Sequence, residues 1–434
     1  METSIFIGTE SSGHSGYINS PTPPKSLHRQ ETDMDILFIT PRLPYPPLKG
    51  DQAVPFNRIR ILSKNHRITM LSFYEKEADL QGLAKLNPYC TAIHVVRLAK
   101  WRSMLNILQK TLVSPLPMQI LYYQSATFKK TLREILQRNR FDLIHAYMFR
   151  VAPYLSSVQV PKILDLIDSM QLNLDRRIGL ERLPRRWIYQ EELRRVIPYE
   201  SDIGKHFNHL ILVSEKDRQF IKGNNVTVIP LGVDTDLFRP KEERSTEPAI
   251  IFSGNMGYAP NISAILWFVE KCFPHIQKAV PAASLIIAGG NPSTEVCNLA
   301  RKKGIIVTGF VDSMPDTINR ASVAIAPMLS GSGMQFKILE AMACGLPVIT
   351  TSLGLGSISA RNDEIVTVET TDDFARAVSS ILLNNDAAST IGKRAREFVI
   401  NHHSWLGSAA QVDEIYRTVL NDVAHERSLK TNCR

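Results

Sequence analysis

Residues 321–352 constrain the fold of this chain more than any other segment, because their pattern alternates strand and helix within one short stretch. The pattern predicts a strand, a glycine loop, a helix and a second strand, at Val323–Pro327, Ser330–Gly333, Met334–Cys344 and Val348–Thr351. A strand, a bend and a helix in this order form half of a nucleotide-binding unit. The unpaired N–H groups at the start of the helix attract a diphosphate.

Lys337 and Glu340 lie three residues apart, so they share one face of this helix just behind its first turn. A cation for phosphate and a carboxylate for ribose hydroxyls are what a sugar nucleotide requires. Composition alone also permits an ordinary crossover helix with both side chains in solvent. The glycine loop matches neither the Walker nor the dinucleotide fingerprint, so both interpretations stay open on local pattern.

Four motifs occur along the chain, at Ile338–Val348, Val228–Pro240, Leu212–Asp217 and His403–Trp405. The first is similar to the signature LLEAMA-x-G-x-PV, and the second to IPNGVD-x-x-x-F-x-P. They follow the family order along the chain, in a match that spans Asp35 to Tyr416, and resemble the glycosyl transferases group 1 family of retaining nucleotide-sugar enzymes.

The resemblance implies an α/β protein with the GT-B fold. That fold has two doubly wound, Rossmann-like domains facing a central cleft, and a C-terminal helix that returns to the N-terminal domain. Segments Gly254–Asn261 and Leu164–Ser169 look closest to sugar transferases associated with exosortase and exopolysaccharide loci.

The length of 434 residues exceeds one ordinary core and suits two domains. Strand and helix patterns alternate in both halves, which predicts two parallel sheets. The expected strands are Asp35–Thr40, Ile68–Ser72, Ala92–Val96, Leu143–His145, Lys162–Leu166, His209–Val213, Ala249–Phe252, Ser284–Ala288, Ile305–Thr308, Val323–Pro327, Val348–Thr351 and Ile365–Val368. The expected divisions are a disordered tail at 1–33, an acceptor-binding domain at 34–232, a linker at 233–247, a donor-binding domain at 248–403 and a final helix at 404–425.

The N-terminal tail lacks the charged start and apolar core of a signal peptide. Met34 directly precedes the first expected strand, so we expect natural translation to begin there. No stretch approaches the roughly 18 uninterrupted apolar residues of a membrane span. Five cysteines are scattered and odd in number, which indicates a reducing compartment without disulfides or zinc.

The net charge of +9 is confined to the first half, where residues 1–217 carry 30 Lys and Arg against 21 Asp and Glu. Such a surface attracts nucleic acid or an anionic membrane. No nucleic-acid motif accompanies it, and the family resemblance favours lipid. We therefore expect a cytoplasmic protein, peripheral on the inner face of the membrane.

Segment Arg176–Arg195 contains seven arginines interleaved with apolar and aromatic residues, a pattern typical of helices that lie on anionic lipid. An ordinary solvated helix face, helped by Glu181, Glu191 and Glu192, explains the pattern equally well.

The resemblance places several residues beside the donor: Gly50, Gly254, Asn255, Ser332, Gly333, Met334, Lys337 and Glu340. Gly50 ends a proline-stiffened loop after the first strand, and its alternative role is a simple turn. The family usually carries an Arg and a Lys after the first strand of the donor domain, whereas Phe252–Asn261 contains no cation. The family's second Glu is replaced by Ser332. Lys337 is therefore expected to be the main fixed charge on the phosphates.

In the acceptor domain, His145 and Asp168 are candidates for a catalytic role. His145 follows a buried strand and is as readily a core residue. Tyr147 stands where the family has a sugar-facing histidine, so that role cannot be transferred to it. Asp165 and Asp168 end the next strand, where a carboxylate orders a sugar hydroxyl or caps the following helix.

Asp234 and Asp236 imitate the Asp-x-Asp metal motif, but they lie within the linker match, where a turn is expected. We expect no metal and no cofactor. The expected activity is retaining transfer of a sugar from a nucleoside diphosphate to a lipid-linked or polysaccharide acceptor. A nucleotide-sugar epimerase of the same fold and a non-catalytic sugar-nucleotide binder are the alternatives.

Overall fold

The structure, a computed structural model, describes residues 4–8, 16–17, 33–47, 50–179, 181–241, 247–330 and 335–432. It forms two compact units, one of Met1–Pro230 with Ser408–Arg434 and one of Leu231–Gly407. The described part of the expected linker belongs to the second unit. There Arg396 donates a hydrogen bond to the carbonyl of Phe238 (3.1 Å), and Asn319 donates to that of Arg239 (3.0 Å).

The strands of the first unit form one sheet and are β1 Ser4–Gly8, β2 Gly16–Tyr17, β3 Asp35–Thr40, β4 Arg67–Tyr74, β5 Ala92–Arg97, β6 Leu143–Tyr147, β7 Lys162–Ile167, β8 His209–Leu212 and β9 Val226–Val228. Their spatial order is β2-β1-β5-β4-β3-β6-β7-β8-β9, and neighbours from β5 to β9 pair in parallel. Every residue of β6 and β7 is buried. Strands covered on both faces are typical of parallel sheets.

The expected disordered tail does not extend to β1 and β2. β1 pairs in parallel with β5 and antiparallel with β2. The edge of β5 offers unpaired backbone groups, and a short run of β-branched and aromatic residues can satisfy them.

The helices associated with this sheet are α1 Gly50–Leu62, α2 Leu83–Leu86, α3 Lys100–Lys110, α4 Met118–Tyr122, α5 Ala126–Arg138, α6 Met170–Ile178, α7 Arg185–Ile203 and α8 Glu215–Arg218. The core packs strand residues against α5 and the segment after β6. Phe73 on β4, for example, stacks on Phe128 of α5 with ring centroids 4.1 Å apart.

The second unit has a six-stranded parallel sheet formed by β10 Ala249–Ser253, β11 Ser284–Ala288, β12 Ile305–Gly309, β13 Val323–Ala326, β14 Val348–Thr350 and β15 Val366–Thr367. The strand order is β12-β11-β10-β13-β14-β15. Its helices are α9 Ala259–Trp267, α10 Phe273–Ala279, α11 Thr294–Asn298, α12 Met314–Ile318, α13 Phe336–Ala343, α14 Ser352–Leu355, α15 Thr371–Leu383, α16 Asn385–His402 and α17 Trp405–Asn432. The two parallel sheets confirm the predicted α/β class.

Helix α17 begins in the second unit and from Ser408 onward belongs to the first. Its buried residues there include Val412, Tyr416 and Val419. Tyr416 reaches the sheet through a 2.6 Å hydrogen bond between its hydroxyl and Nδ1 of His145 on β6.

Candidate functional site

The strand order of the second unit reverses direction between β10 and β13, which are paired neighbours. Ligands of open parallel sheets bind beyond the carboxyl ends of the strands at such a switch point. Gly254 and Asn255 follow β10 directly, and the chain after β13 leads to α13. The expected donor residues that the structure describes in this unit therefore converge on one edge of the sheet.

Gly254 occupies a position that only glycine can fill without strain. Its φ is +143°, and a Cβ atom there would lie 2.9 Å from Nδ2 of Asn261 and 3.4 Å from Cε of Lys337. Gly289, after β11, packs even more tightly, since its Cβ would lie 1.8 Å from the carbonyl oxygen of Gly254. Gly254 thus keeps the backbone close to the Lys337 side chain, and Gly289 packs against Gly254.

Lys337, on the first turn of α13, is buried. Its Nζ donates to Oδ1 of Asn261 (2.6 Å) and lies 4.7 Å from the centroid of the Phe252 ring. Burial lowers the pKa of Lys337 to about 7, and the charge of Glu340 opposes that effect. A cation held this way is under-solvated, and an anionic ligand would stabilise its charged form.

Glu340 lies one turn further along α13 and is half-buried. Burial raises the pKa of its carboxyl group, while Lys337 lowers it. The neighbouring Ile338, Leu339 and Met342 are fully buried and fix the helix against the sheet. The cation and the carboxylate are thus held on one rigid helix at the switch point.

Asn261 is a site residue that the sequence patterns missed. Its Nδ2 donates to the carbonyl of Asn255 (2.9 Å), while its Oδ1 accepts from Lys337. Asn255 itself is exposed and accepts from the amide of Gly257 (3.0 Å). The sequence did contain one sign of this role, an amide side chain in the otherwise apolar first turn of α9. Buried polar side chains are normally hydrogen-bonded to a specific partner.

Ser332, Gly333 and Met334 lie outside the described residues. Their expected contacts with the donor stay predictions.

In the first unit the sheet reverses between β3 and β6. Gly50 begins α1, the helix that follows β3. Near it, Arg42 pairs with Asp51 at 3.2 Å. Gly50 thus lies beyond the carboxyl edge of the sheet, and its expected role beside the phosphates stays a prediction.

His145 is fully buried, stacks on Phe38 with ring centroids 4.3 Å apart and bonds to Tyr416. Its pKa is lowered far below the ordinary value by burial and by the nearby Arg58, so its ring is neutral. Asp165, also fully buried, contacts the guanidinium of Arg58. These contacts favour the core interpretation of His145 and Asp165 over direct contact with a substrate.

Asp168 differs from Asp165 because it is half-buried at the strand end. Burial raises its pKa to about 6, against the opposing effect of Asn173. Two non-glycine residues at the ends of these paired strands have positive φ values: Ile167, directly before Asp168, has 68°, and Met148, directly after β6, has 64°. For a β-branched residue this backbone is strained, and such strain concentrates at functional edges. Asp168 is therefore better placed than His145 to meet a ligand.

The arginine-rich segment divides between α6 and α7, and its arginines have different roles. Arg195 is buried and donates hydrogen bonds to the carbonyls of Thr111 (2.7 Å) and Ser114 (2.6 Å), so its role is to stabilise the fold. Arg194 pairs with Glu191 at 2.8 Å. The five other arginines are exposed, namely Arg176, Arg177, Arg182, Arg185 and Arg186.

Asp234 forms the turn predicted for it. Its Oδ1 accepts from the amides of Asp236 (3.3 Å) and Leu237 (3.1 Å). Across the described ranges, no group of three or more His, Cys, Asp or Glu side chains is arranged to hold a metal ion. In the same part of the chain, no helix has the length and apolar character that crossing a bilayer requires.

Comparison with known proteins extends these observations. Residues 247–384 match the family model described as Glycosyl transferases group 1. An uncharacterised 44.6 kDa protein in the cps region of Klebsiella pneumoniae is 23% identical over 84% of this chain and 95% of its own length.

A GDP-mannose-dependent α-(1-6)-phosphatidylinositol monomannoside mannosyltransferase of Mycobacterium tuberculosis is 29% identical, over 44% of this chain and 55% of its own length. The chain therefore aligns with about half of that relative. Among solved structures, TarM of S. aureus superposes with a TM-score of 0.64 and 11% identity, covering 88% of this chain and 98% of TarM. That likeness concerns the fold alone. With the motifs and the two parallel sheets, these matches show a glycosyltransferase with the GT-B fold, of which residues 247–384 match the glycosyl transferases group 1 family.

Proposed function

We propose that this enzyme transfers a hexose from a nucleoside-diphosphate sugar to a lipid-linked or polysaccharide acceptor, with retention at the anomeric carbon. The observation that carries the proposal is the pair of Lys337 and Glu340 on α13 at the switch point of the second sheet. Lys337 would contact the diphosphate, and Glu340 would accept hydrogen bonds from ribose hydroxyls.

In the proposed reaction the acceptor hydroxyl attacks the anomeric carbon from the face that the diphosphate leaves. The sugar–phosphate bond breaks as the new glycosidic bond forms, and a diphosphate oxygen takes the hydroxyl proton. No side-chain nucleophile is needed. Positioning and electrostatic stabilisation of the departing diphosphate would supply the acceleration, and Lys337 is the buried cation best placed for that second task.

The acceptor class rests on the relatives. One lies in a cps region, and the mycobacterial enzyme is named for a phosphatidylinositol mannoside, which is a lipid. Together with the basic first half of the chain, these names support an acceptor carried by a lipid or a growing surface polysaccharide, and a role in exopolysaccharide or cell-surface glycan synthesis.

Incubation of the purified protein with radiolabelled UDP-, GDP- and ADP-sugars tests the proposal. Transfer to an added acceptor, or slow donor hydrolysis, is expected, and the Lys337→Met variant serves as the matched low-activity control. An isomerised donor would instead indicate the epimerase. Binding without any turnover would overturn the assignment of a transferase.

We expect transfer to continue in EDTA. The diphosphate charge is assigned to Lys337 and backbone dipoles, so no bound cation is required at this step. Activity is compared before and after chelation, and again after adding Mg²⁺ or Mn²⁺. Loss in EDTA that either ion restores would contradict this expectation.

We also propose that the protein works on an anionic membrane surface through Arg182, Arg185 and Arg186. Each arginine near such a surface contributes on the order of 1 kcal/mol, lost within a Debye length of roughly 8 Å at physiological salt. Changing all three to Glu should release the protein from anionic vesicles while donor binding is unchanged. Reversal of the exposed Arg320, Arg376 and Arg394 of the second unit is the control. Equal sedimentation of the wild type and the first variant would refute this role.

A further inference from the structure

Helix α3 turns its apolar side to solvent. Trp101, Met104, Leu105 and Leu108 are 61%, 58%, 42% and 73% exposed, and they recur at the spacing of a single helix face. The turn after the helix continues that face with Leu112 and Val113, which are 90% and 82% exposed. Soluble proteins rarely leave a contiguous apolar surface of this kind without a partner.

The opposite face of α3 is polar and points into the protein. Ser103 is buried, Asn106 donates to the carbonyl of Gln124 (2.9 Å), and Nζ of Lys110 donates to the side-chain oxygen of Gln124 (2.7 Å). This polarity is the reverse of that of an ordinary surface helix, which buries its apolar side. The exposed side chains therefore contribute little to the core of the unit.

The segment that forms this face carries charge of one sign. From residue 80 to residue 133 the sequence contains eight Lys and Arg and no Asp or Glu. Lys100 is largely exposed and pairs with Glu75 at 3.2 Å. Arg102 lies over the Trp101 ring at 5.0 Å from its centroid. A tryptophan-bearing apolar face with a basic border matches the boundary between anionic headgroups and acyl chains.

The helix is also held firmly at its carboxyl end. The buried Arg195 of α7 donates to the carbonyls of Thr111 and Leu116, on either side of the Leu112–Val113 turn. Beside the exposed Arg182, Arg185 and Arg186, Leu183 ahead of α7 is 78% exposed and Trp187 on α7 is 72% exposed. The contact through Arg195 makes α3 and α7 neighbours within one unit.

We propose that the outward face of α3 is a membrane-docking surface, with Trp101, Leu108 and Leu112 entering the headgroup region of an anionic bilayer. The inference rests on the proposed function only because a lipid-linked acceptor requires the enzyme to reach a bilayer. The arginines of the preceding proposal supply long-range attraction, whereas this face supplies apolar insertion. The two contributions differ in their response to salt.

The test is co-sedimentation of the full chain with phosphatidylcholine vesicles that contain or lack phosphatidylglycerol, measured without donor or acceptor. The variant Trp101→Gln/Leu108→Gln should weaken binding to the anionic vesicles by about tenfold, because less apolar surface enters the interface. Its salt dependence should stay that of the wild type. The matched control is Leu383→Gln, which removes a leucine that is 67% exposed in the second unit and should change nothing.

Fluorescence gives a second readout that a folding defect would not imitate. In a Trp187→Phe background, brominated lipids should quench the emission of Trp101, and the further change Trp101→Phe should abolish that component. Equal vesicle binding by the wild type and Trp101→Gln/Leu108→Gln would overturn the proposal. So would a concentration-dependent dimer that the double variant abolishes, since a second copy of the chain would then cover this face. Neither result depends on whether transfer occurs.

Discussion

Replacing Lys337 by Met is expected to lower kcat by about 100-fold, the scale for removing one preorganised group that stabilises developing charge. Negative charge on the diphosphate grows as its bond to the sugar breaks, so the loss should fall on kcat more than on KM. The measurement is steady-state transfer at saturating acceptor. Lys302→Met, at an exposed lysine of the same unit, is the control. A rise in KM with an unchanged kcat would mean that the charge binds the donor only in its ground state.

The same replacement should raise the Tm of the ligand-free enzyme. The pKa of Lys337 is about 7 in the folded protein, against roughly 10.4 in an unfolded chain. Below pH 7 the lysine is charged in both states, so burying it costs stability in full. That cost disappears as the pH rises through the unfolded value. The gain in Tm should therefore be largest below pH 7 and shrink towards pH 10.

Replacing Glu340 by Gln is expected to weaken donor binding by about 1–3 kcal/mol, which is roughly 5- to 150-fold in Kd. Glutamine keeps the shape of the side chain but lacks the charge that strengthens hydrogen bonds from ribose hydroxyls. Calorimetry with the nucleoside diphosphate measures the change. Glu397→Gln, on the exposed face of α16, is the control. An unaltered Kd would remove Glu340 from the donor site.

The pH dependence of donor binding separates the two residues. Burial raises the pKa of Glu340 and lowers that of Lys337. Affinity should therefore rise with pH as the carboxylate ionises and fall as the ammonium deprotonates, giving a bell whose apparent pKa values belong to the pair. Glu340→Gln should remove the acid limb, and Lys337→Met the basic limb. Retention of both limbs in either variant would contradict this assignment.

The fold followed from the sequence where its patterns are strong. The twelve expected strands occur within one or two residues of their predicted ends, because long apolar runs between turn residues leave few alternatives. The strand Val226–Val228 was missed because it is only three residues long and half-buried. The strand Ser4–Gly8 lies in a mainly polar tail whose composition concealed it.

The candidate site was predictable only where a motif marks it. Lys337 and Glu340 lie inside the family signature, so the sequence located them directly. Asn261 holds Lys337 from 76 positions away in the chain, and only the paired strands bring the two residues together. His145 lies on β6, whereas Asp168 directly follows β7. The full burial of His145 depends on packing by α1 and α17, which supply Arg58 and Tyr416. Local sequence patterns do not predict such packing between distant segments.

The hydrogen bond between Tyr416 and His145 also has a consequence for the order in which the chain can fold during synthesis. The ribosome releases the strands of the first unit early, but Val412, Tyr416 and Val419, which are buried in that unit, emerge only after the whole second unit. Until then the polar ring of His145 and the apolar surface around it lack their cover. The second unit, a continuous stretch of chain, can close first. The nascent first unit therefore stays incomplete until α17 is synthesised. During that time it exposes apolar surface that chaperones can bind.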